Sequence, residues 1–256
     1  VEIAKVVIIV FLASFLSKKK TKLSILTKII TSVVLVSIPV LLVLRQPDFG
    51  SSAIIIAIWA GMLAASGIDK KNLLVLLIIS GLAFSSGWFL LKDYQKSRIR
   101  NFITPYEDPR GSGYNVIQST VAVGSGGIFG KGLGHGSQSQ LNFLPEKRTD
   151  FIFAVIAEEL GLVGSGIVLI LFMILFYRIK ETARLARDNF GYLLTGGMMV
   201  MLFYQTLINI GMNIWVSPVT GVPLPLLSYG GSSMFSVLAG LGIIQSVYIR
   251  RAKTLD

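Results

Sequence analysis

Seven apolar stretches, at 3–17, 26–44, 51–68, 73–91, 151–177, 190–216 and 229–249, alternate with segments that gather the charge. A run of about 20 apolar residues is what a helix needs to cross the hydrocarbon layer of a bilayer. Within lipid the backbone must satisfy its own hydrogen bonds, which leaves helices or closed barrels. Barrel strands would alternate polar and apolar residues over about ten positions, and these stretches do not. The chain is 53% hydrophobic and its mean hydropathy is +0.71. The expected fold is therefore all-α and polytopic, a bundle of seven transmembrane helices forming a single integral membrane domain over residues 1–256.

The basic residues orient this bundle. Fourteen Lys and Arg, from Lys18 to Lys28, Lys70 and Lys71, Arg178 to Arg187, and Arg250 to Lys253, fall in one alternate set of connections and the carboxyl tail. The short connections of the other set hold only Arg45. The positive-inside rule makes the first set cytoplasmic, so the first helix runs inward and the carboxyl terminus is cytoplasmic. The net charge of +11 then reports topology. Nucleic acid is not an expected partner, because the basic residues are dispersed at helix ends. With no cysteine there is no disulfide framework. The chain opens on Val1 directly in an apolar stretch, without a signal-peptide pattern, and reads as truncated at its amino terminus.

Residues 92–150 form a connection of 59 residues on the outer side. Connections of this length are usually functional or disordered. Tyr94, Phe102, Tyr106, Tyr114, Phe129 and Phe143 argue for packing on the bundle at the membrane face. Its eight basic residues against five acidic ones favour phosphates at the lipid boundary, or simple anchoring to headgroups.

The glycine-rich stretch 124–137, GSGGIFGKGLGHGS, is not a P-loop: Ser125 stands where Gly is required, and Gly132 follows the Gly–Lys pair. Either its backbone N–H groups and Lys131 cradle an anion, or it is a flexible hinge. His135 has no partner at ligand spacing, so zinc is not expected and no metal ligand is assigned. The stretch YGGSSM at 229–234 is not the G-x-S-x-G of a serine hydrolase.

The stretch LPEKRTDFIFAVIAEELG, 144–161, places acids where a span begins. Thr149 or Asp150 is expected to be the N-cap of the helix. Asp150, Ala154 and Glu158 recur at helical spacing, which points Asp150 and Glu158 roughly the same way. Acids within a span are costly and mark functional pathways or pairs. An acid beside Lys147 and Arg148 at a water–lipid boundary could deprotonate a hydroxyl while its neighbours hold a phosphate leaving group. Further on, SPVTGVPLPLLSYGGSS at 217–233 carries Pro218, Pro223 and Pro225 and cannot be a continuous helix. Irregular backbone near a membrane surface is tolerated where it packs on protein or lines a cavity.

Together 45–52, 93–119, 123–161 and 213–233 resemble the SEDS family of bacterial shape, elongation, division and sporulation proteins across essentially the whole chain. The form TGVPLPLLSYGGSS, 220–233, looks more like the elongation branch, RodA, than the division branch, FtsW. The resemblance implies about ten helices in the complete fold, the first three preceding this chain, with the long extracytoplasmic loop between the fourth and fifth helices present here. It implies polymerisation of peptidoglycan glycan strands from lipid II: the acceptor 4-hydroxyl attacks the anomeric carbon with inversion, and undecaprenyl pyrophosphate leaves. Asp150 matches the family's essential acid and is the expected general base. Arg98, Lys131 and Lys147 are the expected pyrophosphate contacts, and Glu146 and Glu158 are expected to shape the site. A divalent cation, Mg or Mn, is an optional participant. The implied location is the bacterial plasma membrane, and the implied partners are membrane lipids and a class B penicillin-binding protein, the cross-linking transpeptidase. A lipid II flippase or a scaffold for the transpeptidase are the rival readings. The middles of 26–44, 73–91 and 229–249 carry no charge, which favours surface chemistry over a pathway.

Overall fold

The structure, a computed structural model, describes residues 1–18, 25–46, 48–68, 96–97, 100, 102–109, 113–141, 143–144 and 146–251. The expected fourth span, 73–91, lies outside the described residues, as does Arg98. The other six spans are helices: α1 Glu2–Ser17, α2 Ile25–Arg45, α3 Phe49–Ala65, α6 Ile152–Arg184, α7 Asn189–Asn213 and α8 Gly231–Ile249. Within the long connection lie α4, Tyr114–Ser125, and the single turn α5, Ser137–Gln140. Among the described residues α2, α6, α7 and α8 are long and apolar enough to cross a membrane, whereas α3 is a shorter apolar helix. The protein is an all-α polytopic membrane protein. On α6 the exposed side chains from Leu162 to Ile174 are apolar, including Ile167, Leu171 and Met173. A helix in water would show a polar stripe there.

Helix ends depart from hydropathy for local reasons. Asp48 caps α3 by accepting from the Ser51 N–H at 2.9 Å, and Gly67, at φ +83°, ends the segment before residue 68. At its far end α6 continues to Arg184, beyond the apolar stretch, through residues that form helix well in water. α7 stops at Asn213, because Trp215 takes φ +57° and the Val216 N–H turns back to the Gly211 carbonyl at 2.7 Å.

By backbone contacts the chain forms two compact units. One comprises Val1–Phe89, Phe176–Tyr204 and Ser232–Asp256. Its helices approach through small residues: a Cβ on Gly197 of α7 would lie 2.7 Å from Ile9 Cγ2 and 2.8 Å from Met62 Sδ. In lipid, where no hydrophobic force separates helix from solvent, such close backbone packing is a main source of association. Trp59 of α3 donates to the Ser32 hydroxyl of α2 at 3.0 Å. Lys5, fully buried on α1, is paired with Glu2 one turn earlier.

The other unit comprises Leu90–Leu175 and Gln205–Gly231. Its α4 buries Val116, Ser119 and Ala122, spaced by three. Ala122 packs with Leu144, Phe151 and Ala154 in a small core that Val219 also touches. Here α6 is broken at Gly161, with φ 66° and ψ −160°. The glycine-rich stretch fills the break. The N–H groups of Lys131 and Gly132 donate to the carbonyls of Glu158 and Glu159, each at 3.0 Å. In return the N–H groups of Leu162 and Val163 donate to the carbonyls of Gly127 and Ile128 at 2.9 and 3.1 Å. Backbone groups freed by a kink within an apolar helix must be satisfied by protein, and this splice does it. Lys131 does meet an anion, the Glu158 carboxylate, but the glycines themselves are held by main-chain bonds rather than forming a hinge. They allow two main chains to touch: a Cβ on Gly130 would lie 2.2 Å from the Glu159 carbonyl oxygen.

Gly161→Ala should therefore destabilise the protein by at least about 2 kcal/mol, combining a left-handed φ with a Cβ placed against backbone. That Cβ would meet Gly130 N at 2.3 Å. Gly166→Ala on the same helix has open space around it and should be neutral or stabilising by up to ~1 kcal/mol. Thermal unfolding of the two detergent-solubilised variants checks the contrast.

Candidate active site

Ten residues before the break, the irregular turn at 146–151 leads into α6. Glu146 adopts φ 50°, uncommon for a side chain of its size. Its carbonyl accepts from the N–H groups of Thr149, Asp150 and Phe151 at 3.1–3.2 Å. Its carboxylate accepts from the Thr149 hydroxyl at 3.1 Å. The Thr149 hydroxyl turns to Glu146 rather than capping α6, and a group from another helix meets the helix start: Asn213 Oδ1 accepts from the Ala154 N–H at 3.0 Å. Helix starts need such an acceptor for their unpaired N–H groups, and an amide on α7 supplies it. Because α6 begins at Ile152, Asp150 is not in helical register with Glu158.

The same amide face grips the acid's main chain. Asn213 and Asn209 both donate through Nδ2 to the Asp150 carbonyl, at 3.2 and 2.9 Å. Asn209 also donates to the Val222 carbonyl at 2.8 Å, and Asn213 to the Asn209 carbonyl at 2.7 Å. Both asparagines are fully buried. They tie the start of α6 to the proline-rich segment. From the other side the Tyr229 N–H donates to the Arg148 carbonyl at 2.8 Å. The Ser228 hydroxyl donates to the Thr149 carbonyl and accepts from the Leu224 N–H. The half-buried Asp150 carboxylate lies beside Gly221: a Cβ on that glycine, at φ +71°, would be 3.5 Å from Asp150 Oδ2. The site acid and the 217–230 segment are thus brought together.

Glu158 sits elsewhere, with no exposure to solvent. Its carboxylate accepts from Lys131 Nζ at 2.9 Å and from the N–H groups of Gln138 and Ser139, at the start of α5, at 2.9 and 3.0 Å. Glu159 accepts from the Ser139 hydroxyl and the Gln140 amide, both at 3.3 Å. The two acids inside the span anchor α5 and the glycine-rich stretch to α6. Lys147 reaches the same turn, donating from Nζ to the Ser139 carbonyl. Lys131, Glu158 and Lys147 all meet residues of α5, Glu146 bonds Thr149, and Asp150 lies beside Gly221. Exposed His135 bonds the Leu133 carbonyl through Nδ1 at 3.0 Å. Among the described residues no three acids or histidines gather where they could hold a metal ion.

Asn209, Asn213, Ser139 and Ser228 were not singled out by sequence. A signal for the asparagines exists: Gln205, Asn209 and Asn213 recur every fourth residue within an apolar span and are all buried. Polar side chains in that setting face protein rather than lipid.

An apolar helical bundle with an acid fixed at the start of one helix, lysines around a neighbouring turn and a shaped proline-rich segment defines a polytopic membrane protein with an organised site at its surface. The chain belongs to the cell cycle protein family of FtsW, RodA and SpoVE, the SEDS family, which it matches over residues 1–253. It is 43% identical to peptidoglycan glycosyltransferase MrdB of Escherichia coli K12, over 98% of this chain and 68% of that protein. It is 38% identical to stage V sporulation protein E of Bacillus subtilis, over 96% of this chain and 67% of that protein. Among solved structures, a peptidoglycan synthase complex that coordinates polymerisation and cross-linking contains a chain with TM-score 0.80 and 33% identity, covering 98% of this chain and 70% of that one. RodA of Thermus thermophilus superposes with TM-score 0.66 and 28% identity, over 98% of this chain and 66% of that one.

Glu158→Gln would turn an amide NH₂ toward groups that are all donors. It should cost about 2–4 kcal/mol and expose residues 126–141 to protease. Glu159→Gln, whose partners are a rotatable hydroxyl and a side-chain amide, should cost under about 1 kcal/mol. Limited proteolysis and thermal unfolding separate the two.

Proposed function

We propose that this protein polymerises peptidoglycan glycan strands from lipid II, with undecaprenyl pyrophosphate as leaving group, for cell elongation. The observation that carries the assignment to a site is the placement of Asp150. Its main chain is held by two buried amides, and its carboxylate lies against a glycine of the proline-rich segment.

In this reading Asp150 takes the proton of the acceptor sugar's 4-hydroxyl as that oxygen attacks the anomeric carbon. The bond to the pyrophosphate breaks on the opposite face, so configuration inverts. An acid held by backbone bonds loses little freedom on binding the acceptor, and such positioning lowers a barrier as effectively as basicity does. Lys147 and Lys131, both tied to α5, supply positive charge for the departing pyrophosphate. Lys131 keeps a partly accessible side chain while it pairs with Glu158. Arg98 is proposed as a third contact. Glu146 shapes the approach by holding Thr149. A divalent cation, Mg or Mn, would be held by Asp150 and the pyrophosphate's own oxygens and would neutralise the leaving group.

An apolar cleft of about 240 Å³ between α6 and the proline-rich segment, lined by Val168, Phe172, Leu175, Leu226 and Leu227, suits a polyprenyl chain. Leu227 is followed directly by Ser228 and Tyr229, which bond the main chain at 148–149. The polar stripe on α7 would suit a transport pathway, but Asn209 and Asn213 are engaged with backbone, which favours polymerisation over flipping. The partner is proposed to be a class B penicillin-binding protein, and the site is proposed to face outward, with the carboxyl terminus cytoplasmic.

Asp150→Asn should lower the rate of glycan-chain formation from purified lipid II by about 10²–10⁴-fold. The variant should remain folded and bound to its transpeptidase. Chain formation at the wild-type rate would remove Asp150 from the chemistry.

A further inference from the structure

The unit containing α1–α3 carries a second feature that polymerisation does not use. The turn after α6 and the start of α7 meet the last turns of α8 around a cavity of about 630 Å³. This lies within the usual range for small-ligand pockets. Arg187, Arg250, Asp188 and Ser246 supply polar groups, and Leu194 and Val247 supply apolar wall.

The arginines at this end differ in what they do. Arg184 bonds Glu181 at 3.2 Å. Arg251 lies 3.9 Å over the Tyr248 ring and donates to the Tyr248 carbonyl. Arg187 and Arg250, both exposed, make no ion pair or side-chain hydrogen bond among the described residues. The acid in the lining, Asp188, accepts from the Gly191 N–H at 2.8 Å as the cap of α7. Two guanidinium groups with all their donors available therefore line one cavity. Partly exposed Tyr192 and Tyr248 mark this level as the edge of the bilayer.

We propose that this cavity binds the phosphate of an anionic phospholipid from the adjoining leaflet. The two guanidinium groups would clamp the phosphate, since Arg matches its oxygens in paired hydrogen bonds. An acyl chain would run along Leu194 and Val247. The apolar wall and the position at a helix end favour a lipid over a soluble phosphate. The site is separate from the one at Asp150 and does not depend on the proposed chemistry.

The test is native mass spectrometry of the protein released from nanodiscs of phosphatidylcholine with and without phosphatidylglycerol. Wild type should retain phosphatidylglycerol over phosphatidylcholine by about thirtyfold, the scale expected of two basic contacts at the membrane surface. Arg187→Gln and Arg250→Gln should each lose about fivefold, and the double variant should show no preference. Because neither side chain bonds the protein, the variants should unfold at the wild-type temperature in phosphatidylcholine. An undiminished preference in the double variant would overturn the proposal. So would equal stabilisation of wild type by inorganic phosphate in phosphatidylcholine alone, which would make this a soluble-anion site.

Discussion

Two buried carboxamides on α7, Asn209 and Asn213, hold the Asp150 carbonyl, cap the first turn of α6 and take the Val222 carbonyl. Main chain outside a helix needs partners for every polar group, and near a membrane those partners must come largely from protein. The irregular turn at 146–151 and the proline-rich segment have little regular structure of their own to satisfy them. Their shape follows from what the two amides, Ser228 and Tyr229 accept and donate. Removing that scaffold would leave both segments with unpaired groups, at roughly 1–3 kcal/mol for each one buried.

The same requirement explains the second irregularity. A break at Gly161 in an otherwise apolar helix frees carbonyls at Glu158 and Glu159, and the glycine-rich stretch supplies N–H groups to meet them. Glu158 then holds Lys131 and the start of α5 in place. Acids that hydropathy would count as misplaced divide into two kinds. Glu158 and Glu159 are committed to structure. Asp150, with its backbone fixed and its carboxylate half-buried beside Gly221, is the acid we propose to meet a substrate.

Much of this was legible in sequence, because a bilayer allows so few backbone solutions. The spans at 3–17, 26–44, 51–68, 151–177, 190–216 and 229–249 are helices in the structure, and the family followed from long ordered motifs. The helix ends were misjudged where local geometry overrides hydropathy, as at Trp215 and at the extension to Arg184. The glycine-rich stretch could not be understood alone, because its function is a contact with residues about 30 positions away. Sequence offers only near neighbours, Thr149 and Asp150, as caps of α6, whereas the acceptor for the Ala154 N–H comes from Asn213, some 60 residues on. Propensity describes what a residue can do locally; it does not show which distant amide the fold delivers.

The account rests on the claim that buried amides on α7 place Asp150 for proton abstraction. Asn213→Ala tests it most directly, in a single-turnover assay of lipid II polymerisation with lipid II binding measured alongside. The account predicts a rate lower by at least about tenfold with binding unchanged, since a small displacement of a catalytic group costs that much or more. A wild-type rate in a variant whose thermal stability has fallen would show that the amide only supports the fold, and would contradict the claim.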